Sequence, residues 1–432
     1  MTYIRLAGRW RTTRPAAMAP QRDRTGAPAP DSFAYTDERR AQVREGQQLA
    51  AAYDVYRDFP SLPELAERCY EPRGTILVTG VAGFIASHVA LRLVRMYPHY
   101  RVVGLDKMSY CSDERNMEPL ADCPRFRFVK ADVCDYARVL RLMQEEGVDT
   151  VLHLAAQSHV DLSFREGGPT QFVVDNVQGT ASLLEASRKC GVRRFVFCST
   201  DEVYGEGSFD ERVVFDEGRA LAPTNPYSAS KAGGDVLAQA FYKSFGFPVV
   251  ITRGNNVYGP HQFYEKLVPK FIAQLTAGRK VTIHGTGGNT RNFLHVQDTA
   301  SAFDAVMHCG QVGEAYNIGG RNEKTVLDVA ADLLLILGLD QRCRELVEFV
   351  QDRLHNDACY PITNAKLQSL GWREQLSWEL GLASTTAFCL GRLKSERRDI
   401  SALLEAHPQH SATDAAPGPA TVPGGGAPRS RL

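Results

Sequence analysis

At 432 residues the chain is long enough for two or three domains with substantial cores, and its 44% hydrophobic and 23% charged residues are ordinary for a soluble fold. Fifty basic residues balance fifty acidic ones, so bulk charge gives no attraction to nucleic acid or an anionic membrane, and the apolar run 333–339 is too short to span a bilayer. Ten cysteines contain no CxxC pair and several sit in apolar stretches, which predicts reduced thiols, no metal site and a cytoplasmic protein.

Residues 1–72 read as an N-terminal extension. Its first 34 positions are rich in Arg, Ala and Pro with no acid before Asp23, a composition that predicts disorder. Organelle transit peptides are also basic and acid-poor, but the prolines and the scarcity of Ser count against one. A helical stretch is expected within 36–70, with Asp37 and Glu38 near its start; packing on the main body and association with a partner both stay open.

The folded body begins at about residue 73. TILVT at 75–79 is a buried-strand signal, and GVAGFIAS follows it into an amphipathic helix through Val94. Further strands are expected at 101–105 (ending in Asp106), 126–130, 148–154, 195–197 and 249–252, with helices between. Alternating strand and helix predict a doubly wound parallel α/β sheet, a Rossmann-type domain over 73–255. After Gly259 and Pro260 the rhythm changes to a helix at 265–275, a strand at 281–284 and helices at 298–307 and 326–337, the last opened by a Thr325–Asp328 capping box. These predict a smaller α/β substrate lobe over 256–394. From 395 the chain turns Pro-, Gly- and Ala-rich, a disordered tail.

Three patterns carry chemistry. Gly80, Gly83 and Ala86 make a GxxGxxA turn between strand and helix, where small residues let the backbone approach a pyrophosphate at the positive helix end. Asp106 ends the next strand, placed to accept both ribose hydroxyls of NAD, although the adjacent Lys107 blunts a preference against its 2′-phosphate relative. Asp132 suits an adenine contact or a helix cap, and Ala155 and Ala156 leave room at a strand end for a nicotinamide ribose. In the stretch 195–231 a buried strand ends in Ser199, Thr200, Asp201 and Glu202, and Asn225–Pro226 start a helix carrying Tyr227 and Lys231 on one face. An ammonium beside a phenol is expected to lower its pKa, so hydroxyl, carboxylates and phenol form a proton-transfer set in want of a hydride acceptor.

TGxxGFIAS, the Asp106 strand end, HLAAQSHVDLS, STDEVYG, YSASK and NVYGP together resemble the extended short-chain dehydrogenases of the NAD-dependent epimerase/dehydratase family, which act on nucleotide sugars. STDEVYG is similar to the dTDP-glucose 4,6-dehydratases in particular, in their animal-like eukaryotic form, and the likeness runs from about residue 74 to 378. It implies a homodimeric hydro-lyase with NAD held by Gly80, Gly83, Phe84, Ile85, Asp106, Lys107, Asp132, Val133, Ala155, Ala156, Tyr227 and Lys231. Tyr227, assisted by Lys231 and Thr200, would deprotonate the glucose 4-hydroxyl as hydride leaves C4. Glu202 would take the C5 proton, and a protonated Asp201 would donate to the departing C6 hydroxyl before hydride returns to C6. Ser158, Asn256, Glu265, Lys266, Leu267, Arg291, Asn356 and Tyr360 match the substrate positions. Where the family usually keeps an Arg before that Tyr, Cys359 stands, so one cationic contact near the nucleotide is missing. Two rivals remain: a UDP-sugar decarboxylase or epimerase, against which Asp201 argues, and a non-catalytic NAD-binding sensor.

Overall fold

The computed structural model describes residues 35–62, 68–207, 214–351, 361–396 and 399–405. Strand β1 (Thr75–Thr79) is buried along its whole length, with Ile76, Leu77 and Val78 fully inaccessible; each such side chain contributes about 1.5–3 kcal/mol over an exposed one. An apolar run of this kind suits only a sheet covered on both faces. That sheet has seven parallel strands in the order β10-β6-β5-β4-β1-β2-β3. The others are β2 (Arg101–Asp106), β3 (Phe126–Lys130), β4 (Val148–His153), β5 (Arg194–Thr200), β6 (Val249–Gly254) and, from further along the chain, β10 (Ala315–Ile318).

Helix α1 (Asp37–Ala52) precedes the sheet, and Thr36 caps it by accepting from the Arg39 amide. The crossovers include α2 (Phe84–Met96), α3 (Tyr136–Glu146), α4 (Gly179–Lys189) and α5 (Pro226–Phe245). One face of the sheet packs on α2 together with α7 (Val296–Cys309), and the other on α3, α4 and α5. The direction of winding reverses between β1 and β4, the switch point at which such sheets open a crevice at the carboxyl ends of their strands.

The remaining strands are short. β7 (Asn256–Tyr258), β9 (Thr290–His295) and β11 (Asn322–Thr325) form one small sheet, and β8 (Val281–His284) pairs with β12 (Val347–Val350). Helices α6 (Leu267–Thr276), α8 (Val326–Ile336) and α9 (Trp378–Lys394) build a third core with them around Phe271, Leu333 and Trp378. The chain does not keep two lobes in sequence order, because α7 and β10, both beyond residue 256, return to the large sheet. The capping box expected at Thr325 and Asp328 is formed. Helix α1 lies on α9, where a Cβ at Gly46 would stand 2.6 Å from the Glu379 backbone.

The loose tail expected from 395 is corrected over its first residues. Ser401–Leu404 form a 3-10 turn, Leu404 is buried beside Tyr264 and Ala273, and its carbonyl accepts from Gln274 Nε2 at 2.7 Å. Ile400, Leu403 and Leu404 offer an apolar triplet that reaches α6, which the surrounding polar composition hid. Residues 1–34 and 406–432 lie outside the described residues.

Candidate active site

A cleft of about 320 Å³ opens at the switch point, lined from β1, β2, β4, β5 and the starts of α2 and α5. The turn after β1 explains its floor. Gly80 has φ +76, and a Cβ there would lie 2.9 Å from Ala155 Cα, so only glycine fits against the end of β4. Gly83 caps α2 without any side-chain bond, which leaves the first amides of α2 and its positive end facing the cleft. Asp106 is buried, and accepts from the Ala82 amide at 3.1 Å, the Met108 amide at 2.7 Å and Ser112 Oγ at 3.0 Å.

Lys107 turns away from Asp106. Its ammonium donates to Asp175 Oδ1 at 2.5 Å and lies 3.6 Å from Asp132 Oδ2, so it bridges two carboxylates. Asp132, Cys134 and Asp175 are near enough together to suggest a cation site, but this ammonium already supplies the positive charge. Asp175 and Asn176 sit on a π-turn (Val173–Gln178), a distortion that re-aims side chains. Asn176 clamps Gln157, accepting from its amide at 2.8 Å and donating to its carbonyl at 3.0 Å, and also donates to Ser230 Oγ on α5 at 2.8 Å.

The polar end of β5 forms the reactive wall. Thr200 caps the 3-10 turn Asp201–Tyr204 and donates to Asp201 Oδ1 at 3.2 Å, while Asn255 Nδ2 donates to Asp201 Oδ2 at 2.6 Å. Burial and then the neighbouring Glu202 carboxylate push Asp201 up to about 7. Glu202 accepts from Asn225 Nδ2 at 3.3 Å. Asn225 is the cap expected of α5, with Pro226 at the first helical position and Ser228 completing a capping box.

Tyr227 departs from expectation. Burial first, and then the Glu202 charge, hold its phenol well above the usual value, against a hydrogen bond with Thr200 that lowers it. Lys231 does not offset this, because its ammonium donates to the Cys198 carbonyl at 2.6 Å and lies 4.7 Å from the Phe197 ring. Burial also lowers the Lys231 pKa. The expected lowering of the phenol is therefore corrected: burial and the neighbouring carboxylates raise it.

Of the expected cofactor residues, Gly80, Gly83, Phe84, Ile85, Asp106, Lys107, Asp132, Val133, Ala155, Ala156, Tyr227 and Lys231 all line this cleft. Ser158, Asn256, Glu265 and Lys266 line it too. Glu265 is buried and accepts from Tyr110 Oη at 3.0 Å, and Lys266 Nζ donates to the Ser158 carbonyl at 2.8 Å. Leu267 begins α6 and Arg291 lies on β9, neither on the cleft wall, though the Arg291 charge lowers Asp201 from there. Asn356 and Tyr360 lie outside the described residues. Sequence reasoning missed Asn255 and Asn176; the doubled Asn after β6 was the one signal for the first.

The cleft suits a dinucleotide. Gly80 and Gly83 keep the turn before α2 free of side chains, and the buried Ser199 hydroxyl on the cleft wall has no hydrogen-bond partner among the described residues. Comparison with known proteins agrees. The family model described as GDP-mannose 4,6 dehydratase matches residues 77–385. A trifunctional UDP-glucose 4,6-dehydratase, 3,5-epimerase and reductase of Arabidopsis thaliana is 48% identical over 317 residues, 73% of this chain but 47% of its own length. The chain thus spans about half the length of that plant relative. The dTDP-D-glucose 4,6-dehydratase of Mus musculus is 45% identical over 313 residues, covering 72% of this chain and 87% of the mouse protein. Among solved structures, a dTDP-glucose 4,6-dehydratase of Streptomyces venezuelae with NAD bound superposes with a TM-score of 0.70 at 38% identity, over 75% of this chain and 99% of that one.

Proposed function

The chain belongs to the family described by the GDP-mannose 4,6-dehydratase model, and from that premise we propose that it is an NAD-dependent hydro-lyase acting on a nucleoside-diphosphate glucose. The product would be the 4-keto-6-deoxy sugar. One observation carries this reading: Asp201, buried and pushed up to about 7, shares a cleft wall with Glu202, Thr200 and Tyr227. A 4,6-dehydration needs a carboxyl that keeps its proton at neutral pH beside another group that removes one.

Gly80, Gly83 and the first turn of α2 would hold the pyrophosphate of NAD, Asp106 a ribose, and Ala155 and Ala156 the nicotinamide side. Bound there, the cofactor supplies a two-electron acceptor for the sugar carbon that is oxidised and later returns those electrons. Tyr227 Oη would receive the proton of the 4-hydroxyl, in contact with Thr200. To receive it the phenol must first be ionised, against the burial and the Glu202 charge that hold it high, and a positive charge bound beside it would favour that. The carboxylate of Glu202 would remove the C5 proton that the neighbouring ketone acidifies. Asp201 would donate its proton to the departing C6 hydroxyl, with Asn255 holding the other oxygen of the carboxyl. Ser158, Asn256, Glu265, Lys266, Leu267, Arg291, Asn356 and Tyr360 would contact the substrate.

The nucleotide is dTDP in our first reading, in keeping with the mouse and Streptomyces relatives. UDP is the second reading, favoured by the plant relative at 48% identity. A homodimer is supported by the apolar Val173 and Val236, exposed on the packed helices before α4 and along α5. No helix among the described residues is long and apolar enough to cross a membrane, and cysteines buried in apolar clusters, Cys309 and Cys389, suit the cytoplasm. The test incubates protein and NAD with dTDP-glucose or UDP-glucose and weighs the product. Loss of one water without net cofactor reduction is expected, slowed by about 10²–10⁴ in Tyr227→Phe and in Asp201→Asn. A product of unchanged mass but altered chromatographic mobility would point to the epimerase, and loss of carbon dioxide from UDP-glucuronic acid in a parallel incubation to the decarboxylase. Both sugars returned intact would leave the sensor.

A further inference from the structure

Residues 53–62 precede the segment that the family model matches, and they run as a strap between the layers. Gln297 of α7 donates to the Val55 carbonyl at 2.5 Å, Arg92 of α2 donates to the Pro60 carbonyl at 2.7 Å, and Gln375 donates to the Ser61 carbonyl. Between these anchors Tyr56 reaches inward, and its hydroxyl lies 2.8 Å from His261 Nε2.

His261 belongs to the loop 259–266 and the start of α6 at Leu267, a segment that carries Glu265 and Lys266 into the cleft, and His261 itself lines the cleft wall. It holds φ +72, a conformation that a non-glycine residue keeps only when its surroundings impose it. On the far side of the ring, Nδ1 lies 2.8 Å from Ser87 Oγ in the first turns of α2.

One arrangement of the protons satisfies every group in this row. Ser87 has one hydroxyl hydrogen, and it donates to the Phe84 carbonyl at 2.8 Å. Towards His261 it can only accept, so Nδ1 carries the ring hydrogen. Nε2 of the neutral ring is then a bare acceptor, and Tyr56 must be the donor. The chain runs one way: Tyr56 O–H to His261, His261 N–H to Ser87, Ser87 O–H to Phe84, the first residue of the helix whose end faces the cleft.

We propose that Tyr56, acting through His261, is a positioning residue that locks the substrate segment 259–267 onto the first turn of α2. The N-terminal strap thereby sets the spacing between the substrate and cofactor halves of the cleft. What those halves hold rests on the dehydratase reading above; the lock itself does not.

The test compares the full-length protein with Tyr56→Phe, which removes one hydroxyl and keeps the ring. Amide exchange is followed over residues 259–267 of the protein alone, and steady-state rates are measured with NAD and whichever of dTDP-glucose and UDP-glucose is turned over. Loss of one hydrogen bond should raise KM for the sugar nucleotide about threefold to tenfold with kcat kept within about twofold, and should speed exchange in that segment. Unaltered exchange together with unaltered KM overturns the proposal. So does a lower unfolding temperature with exchange and KM unchanged, which would make Tyr56 merely structural. Should the unmodified protein turn over neither sugar, the functional reading fails by itself, and the exchange comparison still decides the lock.

Discussion

Asp201 is 3% exposed, and two opposed sets of forces act on its carboxyl. Burial and the Glu202 charge drive it up, while bonds from Asn255 and Thr200 and the Arg291 charge restrain it near 7. Removing Asn255 takes away the 2.6 Å donor and lets the value climb further. In Asn255→Ala the alkaline limb of the kcat–pH profile, where Asp201 loses its proton, should move to higher pH, and kcat should fall about tenfold or more as the acid loses its orientation. An unmoved limb would detach Asn255 from the acid. Stability follows the same group. Between the ordinary carboxylate value of 3.8 and about 7 the folded state binds more protons at Asp201 than the unfolded chain, so its contribution is present at low pH and lost as pH rises through that window. Asp201→Asn should therefore be more stable than the unmodified protein above about pH 7, read by urea unfolding at several pH values. The Thr200–Asp201–Glu202 motif was legible, yet Asn255 was not, because its place depends on strand register. Thr200 pairs with Gly254 across β5 and β6, which sets the next residue of each strand side by side. The sign at Tyr227 was misread for a related reason: a sequence shows a lysine four residues away but not the burial that outweighs it.

Capping ties helix α5 to the chemistry. The Asn225 side chain accepts from the Ser228 amide at 2.8 Å and with its other atom donates to Glu202. Asn225→Ala should cost about 1 kcal/mol of stability, and it should slow turnover by more than that loss explains, since Glu202 loses a partner. Equal unfolding free energies for variant and parent would refute the capping role. This cap was legible because Asn–Pro is a local signal. So were β1 to β6, whose apolar runs are the direct consequence of a sheet buried on both faces. Several of the elements that escaped have mixed faces, while the buried β10 (AYNI) escaped because four residues are too short to signal a strand. β9 (TRNFLH) is only half buried and β11 (NEKT) is largely polar, paired in a sheet of three short strands. Helix α9 buries Ser384, Thr385 and Thr386, whose hydroxyls donate back to carbonyls of their own helix, so no apolar stripe announces it.

At the scale of the molecule, the extension and the sheet meet at Arg92. Nothing in FIASHVALRLVRM marks this arginine for burial, and amphipathic spacing would have put it at the surface. It is 1% exposed: Nε donates to Asp304 Oδ2 of α7 at 2.7 Å and Nη1 to the Pro60 carbonyl. One guanidinium therefore joins α2, α7 and the strap, three segments that sequence order keeps apart. Asp304 also accepts from Tyr97 Oη at 2.8 Å and lies 2.9 Å from His308 Nδ1, and against burial His308 first, then Arg92 and Tyr97, hold its carboxyl below the usual range. Replacing Arg92 by Met keeps most of the volume but removes the fixed cation, leaving the buried carboxylate to His308 and Tyr97 alone. An uncompensated buried charge of this kind costs about 3–5 kcal/mol, far more than the pair itself contributes. Arg92→Met should lower the unfolding free energy by that amount, and a further Asp304→Leu change should recover part of it by removing the stranded charge. Urea unfolding of the two variants checks this. A loss under about 1 kcal/mol in the single variant would mean that neither the ion pair nor the Pro60 contact of this guanidinium holds α2 against α7.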